Sequence, residues 1–138
     1  MNEKAYPWIG LAGRVLVAAV FLHSGVGKVL GFEGISAFIA SKGIPISFAV
    51  AGGAALLEIA CGLALLFGFK VRLAGFLLAA FTVAATVLFH NFWSEPPGMM
   101  RMMQTIMFSK NLAILGGLLF IIGFGPGAFA LSGRRGPA

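Results

Sequence analysis

Apolar and small residues dominate four long stretches of the chain, and charged residues fall mostly at their ends. The stretches run approximately over residues 8–29, 46–69, 71–93 and 108–124. A helix needs about 20 apolar residues to cross a bilayer core, and about 17 at the short end. Backbone groups in lipid must be bonded within their own segment, so each stretch is predicted to be a helix. The pattern predicts an all-α integral membrane four-helix bundle, with residues 1–138 as a single transmembrane domain.

The connections between these stretches carry their own patterns. In the loop 31–45, Phe32, Ile35, Phe38 and Ile39 recur at helical spacing, which predicts a short interfacial helix between the first and second spans. The segment "GFKVR" at 68–72 predicts a tight helical hairpin. The segment "SEPPGMMRMMQTIM" begins with a Pro-Pro break, and its methionines predict an amphipathic interfacial segment before the fourth span. A Cu(I) site built from these methionines is a weaker alternative.

Composition supports a membrane protein and excludes some other classes. Hydrophobic residues make up 59% of the chain and charged residues only 10%, whereas soluble domains carry about a quarter charged residues. The net charge of +6 does not indicate nucleic-acid binding, because the basic residues are scattered at helix ends, where they anchor helices in the lipid bilayer. Cys61 is the single cysteine, which excludes an intramolecular disulfide and CxxC redox chemistry. We interpret Cys61 as a small packing residue.

The distribution of basic residues predicts an orientation. An even number of spans places both termini on one side, with six cations there (Lys4, Arg14, Lys70, Arg72, Arg134 and Arg135) and four on the other (Lys28, Lys42, Arg101 and Lys110). The positive-inside rule then predicts cytoplasmic termini. Arg14 lies within a span, so the difference that determines orientation is five against four.

Glu58 lies near the middle of the second span, in a chain with only four acidic residues. A charge at the bilayer centre costs about 2.5–3.5 kcal/mol, so Glu58 must either stay protonated, because burial disfavours the charged form, or pair with a cation. On the first helix Arg14, Phe21, Gly25 and Lys28 lie within about 60° of one another. They match a face of small residues around Glu58 on the second helix: Ala51, Ala54, Ala55, Gly62 and Leu65.

These two faces are predicted to pack together. Helical rise then favours Arg14 as the direct partner of Glu58, with Lys28 extending towards the headgroups. The pair either only ties two helices together or forms a site that handles a substrate or protons.

A second polar group is predicted near the opposite end from the termini. His90 and Asn91 close the third span, Lys110 and Asn111 open the fourth, and Lys28 belongs to the same half. A neighbouring face carries Thr82, Thr86, Phe89 and Trp93. Such a polar pocket with aromatic walls is typical of a quinone or small-ligand site; interfacial anchoring and helix capping are the alternative. His23 and His90 lie at different depths, which disfavours haem, and no metal site is predicted.

Four motifs resemble the DoxX family in order and spacing: "RVLVAAVFLHSGVGKVLGFEGISAFIASKGIP", "LLEIACGLALLFGFKVRLAG", "VLFHNFW" and "FSKNLAILGGLLFI". The resemblance covers residues 10–132. It implies a small four-helix protein of the bacterial inner membrane, from a family linked to thiosulfate:quinone oxidoreductase and to complexes handling oxidative and thiol stress. The family's polar motif residues correspond to Arg14, Lys28, Glu58, His90, Lys110 and Asn111.

The leading hypothesis is a membrane subunit of an oxidoreductase, in a quinone-linked or oxidative-stress complex. Glu58 and His90 would be the catalytic groups that move protons. Arg14, Lys28, Lys110 and Asn111 would hold charge or orient a non-covalently bound quinone. The predicted partners are a soluble redox protein and further copies of the chain. Whether the chain is itself an enzyme stays open. The alternatives are a non-catalytic membrane scaffold and a small-molecule carrier, although the inverted repeats typical of transporters are not visible in the sequence.

Overall fold

The computed structural model describes residues 6–132, and these residues form five α-helices and one short 3₁₀ turn. The helices are α1 (Tyr6–Leu30), α2 (Phe32–Ser41), α3 (Ser47–Phe67), α4 (Val71–Phe89) and α5 (Met99–Phe124), and the turn is Phe92–Ser94. All except α2 belong to segments long and apolar enough to cross a membrane. The predicted fold, four membrane helices with a short helix between the first two spans, is confirmed.

The four long helices form a ring in which neighbouring contacts are unequal. The most extensive contact joins α1 to α3, and others join α3 to α4 and α4 to α5, whereas α1 and α5 touch only sparsely. A Cβ atom on Gly25 would lie 2.7 Å from Ile59 Cγ1 and 3.2 Å from the Ala55 carbonyl oxygen. Glycine at this position therefore allows the close approach of α1 to α3, and the predicted packing of their small-residue faces is confirmed.

The buried apolar core occupies only half of the bundle. This is the half that contains the C-terminal part of α3 and the N-terminal part of α4. Its buried members come from all four long helices: Ala18, Phe21, Cys61, Leu65, Val71, Ala74, Leu78, Ala79 and Leu118. Cys61 is thus a packing residue, as predicted. Helix α5 contributes only Leu118 to the buried set, and its partly buried residues Ile114, Leu115, Ile121 and Ile122 pack against this core.

The C-terminal segment after α5 closes this end of the bundle. Gly68 ends α3 with φ 75° and Lys70 precedes α4 with φ 41°, which makes the hairpin tight. The backbone amides of Leu131 and Ser132 donate to the carbonyls of Phe67 and Gly68, at 3.2 and 3.1 Å. The start of α1, the α3–α4 hairpin and residues 126–132 therefore share one end, although Lys4, Arg134 and Arg135 lie outside the described residues.

Helix α5 begins nine residues earlier than predicted, at Met99 instead of residue 108. The predicted start of the fourth span at residue 108 is therefore wrong, and the methionine-rich segment expected at the interface belongs to the same helix. The run Met99–Met107 continues directly into the span because methionine, arginine and glutamine favour helix and no breaker follows Gly98. Four of its methionines lie exposed on the helix surface: Met99, Met100, Met102 and Met103.

Candidate functional site

A cavity of about 900 Å³ lies in the half of the bundle that the core leaves unfilled. All five helices line it, α2 with Ile35, Phe38 and Ile39. The contact between Phe38 and Phe89, with ring centroids 5.6 Å apart, attaches α2 to α4 beside it. The walls are mainly apolar, with a few polar side chains: His23, Ser24, Lys28, Glu58, Thr82, His90, Lys110 and Asn111. Apolar walls with a few converging polar groups are the usual character of a small-ligand site.

Glu58 forms the centre of the first polar group of this cavity. Its side chain is only 3% exposed, and its Oε2 lies 2.8 Å from Lys28 Nζ. Ser24 connects the two, because its hydroxyl donates to Glu58 Oε1 at 3.0 Å and accepts from Lys28 Nζ at 2.7 Å. Oε2 is enclosed by protein atoms, and the ammonium of Lys28 balances its charge.

The helices explain how these three side chains meet. Ser24 and Lys28 are four residues apart, so they lie one above the other on α1. Gly25 between them brings α3 close, and Glu58 Cβ is 3.2 Å from where a Gly25 Cβ would lie. The side chain of Lys28 is 21% exposed, so its end reaches the edge of the site.

Arg14 does not pair with Glu58, and that prediction is wrong. Glu58 is level with Gly25, which is about 16 Å along α1 from Arg14 at the rise of an α-helix. Arg14 is only 3% exposed and lies instead beside the C-terminal segment. Its guanidinium donates to the carbonyl oxygens of Pro126 and Phe129. Arg14 thus has a structural role at the end of the bundle opposite the cavity. Lys28, instead of Arg14, is the ion-pair partner of Glu58.

The second polar group lies on α4 and α5. His90 Nδ1 and Gln104 Oε1 are 2.9 Å apart, and the amide of Asn111 donates to Thr86 Oγ1 at 2.9 Å. The Thr86 hydroxyl in turn donates to the Thr82 carbonyl, which fixes the lone pair that Asn111 uses. Lys110 also lines the cavity and forms no ion pair with any residue of the range 6–132.

The structure therefore brings five of the six predicted polar residues to the wall of one cavity: Lys28, Glu58, His90, Lys110 and Asn111. Of the predicted aromatic walls, Phe89 lines the cavity, whereas Trp93 packs against Phe92 and Phe108 outside it. Asn91 also lies outside and donates to Ser94.

Three polar residues of the site were not predicted from the sequence. Ser24 could have been found from its position four residues before Lys28. Gln104 is the partner of His90, but it belongs to the part of α5 that was not predicted to be in the fourth span. His23 lines the cavity even though it lies on the opposite side of α1 from Arg14, because the cavity extends around the helix.

Comparison with known proteins finds relatives across nearly the whole chain. Inner membrane protein YqjF of Escherichia coli (strain K12) is 36% identical over 124 residues, 88% of this chain and 87% of that protein. Inner membrane protein YphA of the same strain is 31% identical over 130 residues, 94% of this chain and 92% of that protein. The Surfeit locus protein 4 homolog of Schizosaccharomyces pombe is 28% identical over 135 residues, 97% of this chain but only 39% of that protein.

No solved structure matches the chain significantly. The two bacterial relatives are inner membrane proteins, and together with the four membrane-crossing helices they support a multi-pass protein of the bacterial inner membrane. The family model for DoxX matches residues 9–91, more than half of the sequence. These matches agree with the motifs and the fold, and the chain belongs to the DoxX family.

Proposed function

We propose that the chain binds a quinone in its intramembrane cavity, as the membrane subunit of an oxidoreductase complex. The observation that carries the proposal is the buried Glu58 carboxylate on the wall of a mainly apolar cavity of about 900 Å³. Ionisable groups inside membranes are costly and usually mark a functional site. Here the carboxylate is paired with Lys28, which also lines the cavity.

The distribution of polar groups fits the shape of a para-quinone. Such a ring carries two carbonyl oxygens at opposite ends, and each accepts hydrogen bonds. Lys28 and Ser24 stand on α1, while His90, Lys110 and Asn111 stand on α4 and α5. A ring between these walls can therefore meet a donor at each end, and the apolar walls accept its hydrocarbon chain.

The same groups suit the proton chemistry of a quinone, which takes up two electrons and two protons on reduction. Glu58 can hold a proton beside the first carbonyl. Lys28 donates a hydrogen bond to Ser24, and Ser24 donates one to Glu58. His90 can do the same on the other wall, held in orientation by Gln104. In the described residues no three His, Cys, Asp or Glu side chains are grouped to hold a metal ion. We assign the electrons to a docked redox protein.

Binding of a radiolabelled quinone to the purified protein in lipid nanodiscs tests the proposal. We expect saturable binding, weakened about 5- to 30-fold by Glu58→Gln, which removes a charge, and by Asn111→Leu, which removes a polar group. Each of these interactions is worth about 1–2 kcal/mol. The matched controls are Glu33→Gln on α2 and Asn91→Leu after α4, neither of which lines the cavity. They should bind like the wild type.

Two results would oppose the proposal. Binding that does not saturate in the wild type would exclude a quinone site. Equal binding in all four variants, with lower thermal stability only for Glu58→Gln and Asn111→Leu, would instead favour a membrane scaffold whose buried polar groups hold helices together.

A further inference from the structure

The contact between α1 and α5 is the weakest seam in the ring of long helices, and the cavity lies behind it. The helices approach closely near Val17 and Gly117, where a Cβ atom on the glycine would be 3.3 Å from Val17 Cγ2. From there towards Lys28 the facing residues of both helices line the cavity instead of packing together. The seam is therefore closed beside the core and open beside the cavity.

Several cavity-lining residues on this seam are also exposed on the outer surface of the bundle. On α1 the side chains of Leu16 and Val20 are 69% and 42% exposed, and Ala19 and His23 are exposed as well. On α5 Lys110 is exposed and Met107 and Ile114 are half-buried. A residue that lines a cavity and also faces outwards marks an opening. This opening lies along membrane-crossing helices, so most of it faces lipid.

The other sides of the cavity are more completely covered, because Phe38, at 45%, is the one exposed residue among those that line it from α2, α3 and α4. Helix α2 lies across α3 with Ile39 buried, and the Phe38 ring contacts Phe89 on α4. The α1–α3 contact around Gly25 leaves no gap, because a Cβ there would already overlap Ile59. Glu58 lies on the inner wall with its side chain only 3% exposed, paired with Lys28.

We propose that the gap between α1 and α5 is a lateral portal, and that the ligand is an amphiphile dissolved in the membrane that enters head first. Its polar head lies beside the Lys28–Glu58 pair, and its apolar tail lies between Leu16, Val20 and Ile114 and extends into the lipid. This inference rests on the proposed ligand cavity but not on the ligand being a quinone. It excludes water-soluble molecules as the physiological ligand class.

Photolabelling in lipid vesicles tests the portal without any assumption about the natural ligand. The probe is a decanol carrying a diazirine near its hydroxyl, dissolved in the bilayer, and adducts are mapped by mass spectrometry to Phe81 and Ala85 on the cavity wall of α4. A charged, water-soluble diazirine is the comparison. We expect adducts at these two residues from the decanol probe only.

Filling the portal should remove these adducts. In Ala19→Trp the indole occupies the seam, and we expect loss of labelling at Phe81 and Ala85. In the control Ala60→Trp the same substitution is made at an exposed alanine of α3 that does not line the cavity, and labelling should remain. Val20→Trp is a second portal variant, in case Ala19→Trp has a lower thermal midpoint than the control.

The outcomes separate the portal from the proposed function. Cavity labelling that persists in both portal variants would overturn the portal, as would stronger labelling by the charged probe or no cavity labelling in the wild type. Loss of labelling in the portal variants, with no competition from added quinone, would keep the portal and reject the quinone.

Discussion

The ion pair of Lys28 and Glu58 predicts an asymmetric response to removal of either charge. Lys28→Met keeps most of the side-chain stem but removes Nζ, which lies 2.8 Å from Glu58 Oε2 and donates to Ser24. Glu58 then remains 97% covered, with Ser24 as its only hydrogen-bond donor within residues 6–132. Removing one partner of a buried pair typically costs about 3–5 kcal/mol, because the other charge is left uncompensated. We expect Lys28→Met to lower the free energy of unfolding by about 3 kcal/mol, the low end of this range, because Lys28 lies at the edge of the site and is 21% exposed.

Glu58→Gln should have a much smaller effect. The side chain of Lys28 is 21% exposed, so its ammonium can turn outwards, and the amide oxygen of Gln can still accept from Ser24. We expect a loss of at most about 1 kcal/mol. Steric trapping gives the free energies, and a thiol-reactive dye that reports exposure of the buried Cys61 gives thermal midpoints. Equal losses in the two variants would refute this reasoning.

Two further predictions concern the packing of α1. Arg14→Met removes both donations to the carbonyls of Pro126 and Phe129. We expect faster hydrogen exchange at the Leu131 and Ser132 amides with unchanged quinone binding. Exchange as slow as in the wild type would show that Arg14 does not hold this segment, and Lys42→Met is the control for loss of an exposed cation. Gly25→Ala should cost about 1–3 kcal/mol of stability, because its Cβ would lie 2.7 Å from Ile59 Cγ1. Gly27→Ala, with no atom within 4 Å, should be neutral or stabilising by up to about 1 kcal/mol; a similar loss in both variants would contradict the close-packing argument.

The helices of this protein could be predicted from the sequence because lipid permits few alternatives. Apolar length alone identifies a spanning helix, and the small residues around Gly25 and Glu58 identify the tightest contact. The start of α5 was missed because methionine, arginine and glutamine are equally suited to an interfacial segment and to the first turns of a long helix. The composition of this segment does not show whether it forms one continuous helix with the fourth span.

The partner of Glu58 shows a different limit. Periodicity places Arg14 and Lys28 on one face of α1, but it does not give the vertical register between two helices. Depth below the membrane surface was therefore inferred from the centres of the spans, which favoured Arg14. In the structure, the contact at Gly25 determines the register between α1 and α3. This register brings Lys28, instead of Arg14, to Glu58. The acceptors of Arg14 are backbone carbonyls, which no side-chain pattern can reveal.

The attachment of Arg14 to the C-terminal segment has a consequence for biosynthesis. The carbonyl groups that accept its hydrogen bonds belong to residues made 112 and 115 positions later. At about 5–20 residues per second, a ribosome needs roughly 6–22 s to cover that distance. During this time α1 must enter the membrane with a guanidinium that lacks its final acceptors. The first helix therefore depends on water, headgroups or the insertion machinery until the last helix arrives, and a ribosome stalled before residue 126 would leave the bundle without this contact.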